Sequence, residues 1–144
     1  MFHVTRRYAF SASHRLHSVA LSEEANRALY GKCNNPYGHG HNYIVEVSVR
    51  GPLDPATGRA VDTGVLDELV RSQILSPFDH HNLNAEVAEF AEVVPTSENL
   101  GFEICRRLKR NWKRTFAGEW PVLEKIRIGE TARNIFEVGA HEIE

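Results

Sequence analysis

Between Cys33 and Tyr43 the chain reads Cys-Asn-Asn-Pro-Tyr-Gly-His-Gly-His-Asn-Tyr, which places a thiol and two imidazoles in one short stretch. Both groups ligate zinc and both can carry protons. From His39 onward the odd positions are His41, Tyr43, Val45, Val47 and Val49, the period of two that marks a half-buried strand. On such a strand His39 and His41 leave the backbone on the same face, about 7 Å apart at Cα. Two rings at that spacing can converge on one cation. A His-x-His pair by itself more often only shares a face, and catalytic zinc usually takes three protein ligands while keeping one position open. The remaining chain must supply the third.

It does so near the N-terminus. Phe2, Val4, Arg6, Tyr8, Phe10, Ala12, His14 and Leu16 occupy even positions with mostly polar residues between them, which predicts a long amphipathic strand. A lone histidine on such a face is ordinarily a hydrogen-bonded core residue. An antiparallel neighbour running from His39 to Arg50 would bring its start beside His14, however, so three imidazoles can meet on one face. Between these strands, Ser22 caps a short expected helix that ends at Gly31, and the rest of Ser18 to Gly38 reads as loop. Cys33 lies on that loop, with five residues between it and His39. An excursion longer than a turn requires often carries function.

Downstream, Gly51 to Gly58 is dense in turn formers. Val65, Leu66, Leu69, Val70 and Ile74 predict an amphipathic helix stopped by Pro77. Phe78-Asp-His-His-Asn-Leu83 then forms a polar loop in which Asp79 can orient the His80 imidazole and stabilise its charged form. Thr96 or Ser97 caps a second helix with Glu98 in its first turn, and Leu100, Ile104, Leu108, Trp112 and Phe116 form its apolar stripe. The arginines and lysines around that stripe read as a solvated face, and Cys105 as a small buried hydrophobe. Val122 to Glu130 and Ile135 to Ile143 alternate again and predict a hairpin. Glu130 ends an apolar row, where a carboxylate either emerges into water or accepts hydrogen bonds from a polar ligand.

Two strands, two helices and two strands imply an α+β domain spanning residues 1–144. Its expected form is a four-stranded antiparallel sheet, in the order ββααββ, with both helices on one face. The open sheet edges predict self-association. At 144 residues the chain is long enough for its own core, and a net charge of -2 with pI near 6.4 gives no field for polyanions. Neither nucleic acid nor membrane is expected as a partner, because no apolar run is long enough to span a bilayer. Two cysteines and the absence of an apolar stretch behind the N-terminal arginines predict a cytoplasmic location.

The segments Phe10-Ser-Ala-Ser-His14, Cys33-Asn-Asn-Pro-x-Gly-His-Gly-His-Asn42, Leu53-Asp-Pro-x-Thr-Gly58, Asp79-His80-x-Asn-Leu83, Thr96-x-Glu-Asn99 and Glu130-Thr131 resemble, in order, the 6-pyruvoyl-tetrahydropterin synthase family. The resemblance implies the tunnelling fold, in which three subunits close a barrel and two trimers stack, with active sites at subunit contacts. It implies one Zn2+ per subunit on His14, His39 and His41, a catalytic thiol at Cys33 assisted by Asp79 and His80, and a pterin ring anchored by Glu130 near Thr96 and Ser97.

The implied substrate is 7,8-dihydroneopterin triphosphate, from which triphosphate is eliminated without an external redox cofactor. Mg2+ is a further candidate, carried on the triphosphate, and Arg15 and Lys32 are candidate cations for it. Tyr37 and His81 depart from the family's common residues, which bears on rim shape and substrate preference. The related 6-carboxy-tetrahydropterin synthases usually place the thiol closer to His-Gly-His, so the spacing here favours the pyruvoyl product. A non-catalytic oligomer, with Cys33 closing a structural zinc site, is the alternative from another class.

Overall fold

The computed structural model describes residues Met1 to Glu144. Two strands of 13 residues, β1 (Phe2–His14) and β2 (His39–Gly51), pair antiparallel along their whole length, from Phe2 opposite Gly51 to His14 opposite His39. The excursion between them holds α1 (Glu23–Tyr30), capped by Ser22, and a 3-10 turn over Gly31–Asn34. Gly31 takes a φ of 54°, a left-handed angle that glycine adopts without steric cost, and ends the helix there.

The expected sheet needs one correction. It has five strands rather than four, in the order β3-β1-β2-β4-β5, and it is mixed. β4 (Val122–Gly129) lies antiparallel to β2, and β5 (Ile135–Gly139) lies antiparallel to β4. The added strand β3 (His81–Asn82) runs parallel to β1 at Ala12 and Ser13. Two residues cannot display a period, so no pattern in the sequence marks them. The last strand is also shorter than the alternation suggests. It ends at Gly139, and a 3-10 turn (Ala140–Glu142) folds Ala140 and Ile143 into the core, where Lys109 Nζ donates to both of their carbonyls.

The helix expected to stop at Pro77 continues past it. α2 (Thr63–Val70) passes through a π turn (Arg71–Leu75) into α3 (Ser76–Phe78). Proline has no N–H for the carbonyl of Gln73, four residues back, and Arg107 Nη1 donates to that carbonyl at 3.3 Å instead. A tertiary donor thus replaces the missing helical one. The short α4 (Leu83–Glu86) follows β3, and then α5 (Ser97–Thr115), capped by Thr96.

One face of the sheet meets the helices. Tyr43, Val45, Val47, Val49, Ile126 and Ile128 are buried there against Leu100, Ile104, Leu108 and Trp112 of α5, within one cluster of 26 apolar residues. Two arginines of α5 are tied to a carboxylate: Arg107 and Arg110 each lie 3.1 Å from the buried Glu103. On the opposite sheet face Glu46 bridges Arg7 at 3.0 Å and Arg127 at 3.1 Å. β3 covers only the last part of β1, so most of that edge and the outer edge of β5 are unpaired within the chain. No helix is long and apolar enough to cross a membrane.

β1 is tied to α2 by an ion pair that responds to pH. Arg6 reaches Asp67 through Nε at 3.2 Å and Nη2 at 2.6 Å, and Tyr8 donates to Asp67 at 2.7 Å. The hydrogen bond from Arg6, first among the causes, holds the Asp67 carboxyl below its usual 3.8. A depressed folded-state value contributes stability that is present above the unfolded value and is lost as pH falls through the folded one. Asp67→Asn should therefore lower stability at pH 7 by about 1 kcal/mol or less, given the exposure of the pair. Thermal unfolding as a function of pH should show wild type and variant converging in acid, below the usual 3.8.

Candidate active site

The strand pairing brings the histidines together. His14 opposes His39 across β1 and β2, Ala12 opposes His41, and the rings of His14 and His39 lie 4.7 and 4.5 Å from that of His41 between centroids. Cys33 approaches from the 3-10 turn, with Sγ 3.9 Å from His41 Nε2. Glu130, just beyond β4, places Oε1 2.7 Å from the same nitrogen. One donor atom each from His14, Cys33, His41 and Glu130 lies within 4.8 Å of all the others. His39 stands beside this group, its ring against His41, rather than within it.

His14 is fully buried, and its two nitrogens have different surroundings. Nδ1 lies 3.1 Å from the carbonyl oxygen of Pro95 and 3.1 Å from the hydroxyl of Tyr43. A carbonyl can only accept, so Nδ1 carries the proton and Nε2 keeps its lone pair. Nε2 is the one buried side-chain nitrogen or oxygen in the chain without a hydrogen-bond partner. Burial, followed by the nearby His41, lowers the His14 pKa to about 4, so the ring is neutral at pH 7. A neutral imidazole with a fixed tautomer and an unshared lone pair is what a metal ligand requires. Two imidazoles, a thiol and a carboxylate form a donor set suited to zinc.

Electrostatics around the group follow burial. Burial lowers the His41 pKa by more than the Glu130 carboxylate raises it, so at neutral pH the 2.7 Å contact is a hydrogen bond from a neutral ring. Burial, and then the charge of Glu130, raises the Cys33 thiol above its usual value. With no cation beside it the sulfur stays protonated. Glu130 is held from its other oxygen, Oε2, which accepts from Ser97 Oγ at 2.8 Å. Capping of α5 falls to Thr96, whose Oγ1 accepts from Asn99 N–H at 3.2 Å, and this leaves the Ser97 hydroxyl free for Glu130.

Asp79 and His80 lie elsewhere on the chain, against the outer edge of β1. Asp79 Oδ1 accepts from Ser11 N–H at 2.9 Å, and His80 N–H donates to Ser11 O at 2.6 Å. The two side chains meet only at 3.7 Å, and neither bonds Cys33. His80 has a φ of 61°, a left-handed angle uncommon outside glycine, and its ring is exposed beside a cavity of about 530 Å3 shared with Ser11, Ser13 and Asn42. Arg15 uses Nε to donate to Asn34 O at 3.1 Å, and Lys32 is exposed.

Two supports of His14 were missed in the sequence. Tyr43 continues the row of His39 and His41, so strand parity could have placed it beside His14. Pro95 acts through a backbone carbonyl, for which no side-chain signal exists.

A family model for 6-pyruvoyl tetrahydropterin synthase matches residues 3–141. The human 6-pyruvoyl tetrahydrobiopterin synthase is 48% identical over 132 residues, covering 92% of this chain and 87% of the relative. That of Poecilia reticulata is 47% identical over 133 residues, covering 92% and 86%. The solved 6-pyruvoyl tetrahydropterin synthase of Caenorhabditis elegans superposes with a TM-score of 0.84 at 40% identity, covering 96% of this chain and 94% of that one. Fold and relatives define an enzyme of pterin metabolism that acts on a small molecule. The chain belongs to the 6-pyruvoyl tetrahydropterin synthase family.

If the free nitrogen of His14 is a ligand, metal-free protein titrated with Zn2+ or Co2+ should bind one ion per chain and unfold at higher temperature. His14→Ala should weaken that binding by about 100-fold or more, measured by competition with a chelator. Unaltered affinity in the variant would remove His14 from the site.

Proposed function

We propose that the chain, one domain over residues 1–144, converts 7,8-dihydroneopterin triphosphate to 6-pyruvoyl-tetrahydropterin with release of triphosphate. One Zn2+ per subunit would be held by His14, His39 and His41. The observation that carries this reading is the unpartnered Nε2 of His14, buried within reach of a second imidazole, a thiol and a carboxylate.

His41 Nε2 cannot donate to Glu130 and ligate an ion at the same time. Metal binding would therefore free Glu130 Oε1 to accept from the N–H groups of a pterin ring, with Ser97 still fixing Oε2 and Thr96 alongside. His39, already against the ring of His41, would complete the ligand set. Bound there, zinc would supply Lewis acidity, the chemistry that makes a proton on a carbon beside a substrate oxygen easier to remove.

Cys33 is the base for that proton. Its thiol is raised in the metal-free protein, so it needs the positive charge of the ion or of a protonated His80 to become a thiolate. Asp79 stabilises that imidazolium. One carbonyl forms as its carbinol gives two electrons and two protons to the ring; the other forms as the C–O bond to triphosphate breaks and the enol left by that elimination becomes a carbonyl beside a methyl group, so no external redox cofactor is needed.

Asp79 and His80 bond the edge of β1 rather than Cys33, which supports their acting at a contact between subunits. The unpaired edges of β1 and β5 support closure of a barrel by three copies, as a trimer or a dimer of trimers. Mg2+ would accompany the triphosphate, and the enzyme would work in the cytoplasm.

Purified zinc-loaded protein given 7,8-dihydroneopterin triphosphate should release triphosphate and the pyruvoyl product; abundant acetaldehyde would instead assign it as a 6-carboxy-tetrahydropterin synthase. Cys33→Ala should lose about 100-fold or more in kcat while retaining zinc. Turnover equal to wild type in that variant would rule out the thiol as base, and no turnover in either protein would leave the cluster as a structural zinc site.

A further inference from the structure

The turn that carries Cys33 is held in place by a buried asparagine that is not among the donors. Beyond His14 the chain runs on through Arg15, Leu16 and His17 without regular structure. Leu16 N–H donates to Cys33 O at 2.7 Å, and Asn34 Nδ2 donates to Leu16 O at 2.7 Å and contacts His17 Nδ1 at 3.0 Å. Arg15 Nε donates in turn to Asn34 O. From the other side Asn84 brackets Arg15, accepting from its N–H at 2.7 Å and donating to its carbonyl at 3.0 Å.

The orientation of the Asn34 carboxamide is dictated by its partners. Leu16 O can only accept, so the nitrogen must face it, and His17 Nδ1 must then be the unprotonated ring nitrogen. Asn34 is buried, whereas Lys32, Asn35 and Pro36 around it are exposed. Apart from the Cys33 carbonyl, the contacts that join this turn to the end of β1 pass through Asn34. The thiol they hold stands 3.9 Å from His41 Nε2, and displacement of a reacting group by about 1 Å can cost 100-fold in rate.

We infer that Asn34 is a positioning residue of this enzyme: its carboxamide latches the Cys33 turn to the segment leaving β1 and so fixes the thiol beside His41. The inference rests on the reading of Cys33 as the base. Asn34 acts through Cys33 alone. The metal ligands, carried by paired strands, do not depend on it.

Asn34→Asp keeps the shape and replaces the donor with an acceptor opposite the Leu16 carbonyl, which can only accept. It should lower kcat by about 10- to 100-fold and leave KM within about threefold. Zinc affinity should stay within about threefold, because the strand-borne imidazoles are untouched. In metal-free protein, iodoacetamide should modify Cys33 about tenfold faster as the turn loosens, with buried Cys105 as the unreactive internal control. His17→Phe removes one acceptor only and should move thiol reactivity and kcat the same way by a smaller amount, which decides the matter if Asn34→Asp does not fold.

In a Cys33→Ala background, Asn34→Asp should cause no further loss, since the two act as a unit. Additive losses in that cycle, or wild-type thiol reactivity in both Asn34→Asp and His17→Phe, would overturn the latch. Full turnover by Cys33→Ala alone would remove the base assignment, and with it the inference.

Discussion

A buried nitrogen with a lone pair and no partner is the feature around which the rest of this chain makes sense. Leaving a polar atom unsatisfied in the interior costs about 1–3 kcal/mol, and His14 Nε2 is in that state although its ring is otherwise fully engaged. The register of β1 and β2 puts the ring there, at the last pair of a 13-residue ladder, above the stacked rings of Phe10 and Tyr43 at 5.1 Å. Pro95 and Tyr43 then settle which nitrogen carries the proton. A slip of one residue would turn His14 to the opposite face, so the hydrophobic alternation of both strands protects the site as well as the core.

Three other segments reach the same place by different means. Glu130 arrives at the end of β4, where the apolar row of that strand stops. It is met by Ser97 in the first turn of α5, whose positive N-terminal end suits a carboxylate. Thr96 and Ser97 divide two tasks that either hydroxyl could perform, one closing the helix and the other holding the acid. Asn99 Nδ2 donates to Val94 O at 2.8 Å and secures the stretch from which the Pro95 carbonyl meets His14. The start of α5 therefore supports two of the four donors at once. Cys33 comes on a turn anchored by side-chain hydrogen bonds, the least regular of these arrangements.

Burial acts in the same direction on every titrating donor for which a shift is resolved. It lowers His14 and His41 and raises Cys33, favouring the uncharged form of each. The imidazoles are thereby kept in the form that can ligate a metal, and the thiol is kept protonated. Membership of the 6-pyruvoyl tetrahydropterin synthase family accords with such a site.

Period and order alone made the two long strands, the hairpin and the helical stripe of α5 readable, because each repeats a simple spacing many times. The convergence of His14 and His41 was readable for the same reason, since parity and antiparallel pairing leave few alternatives. Pro77 misled because the carbonyl it frees is satisfied by Arg107, a residue thirty positions further on. β3 was invisible because two residues hold no pattern, and Glu130 read as a carboxylate that either emerges into water or anchors a polar ligand, because nothing local shows that it meets His41. The distinction between Thr96 as cap and Ser97 as acid holder, the tautomer of His14, and the separation of Asp79 and His80 from Cys33 all depend on hydrogen bonds between distant segments. Such bonds leave no periodic trace in a chain, and only its tertiary structure decides them.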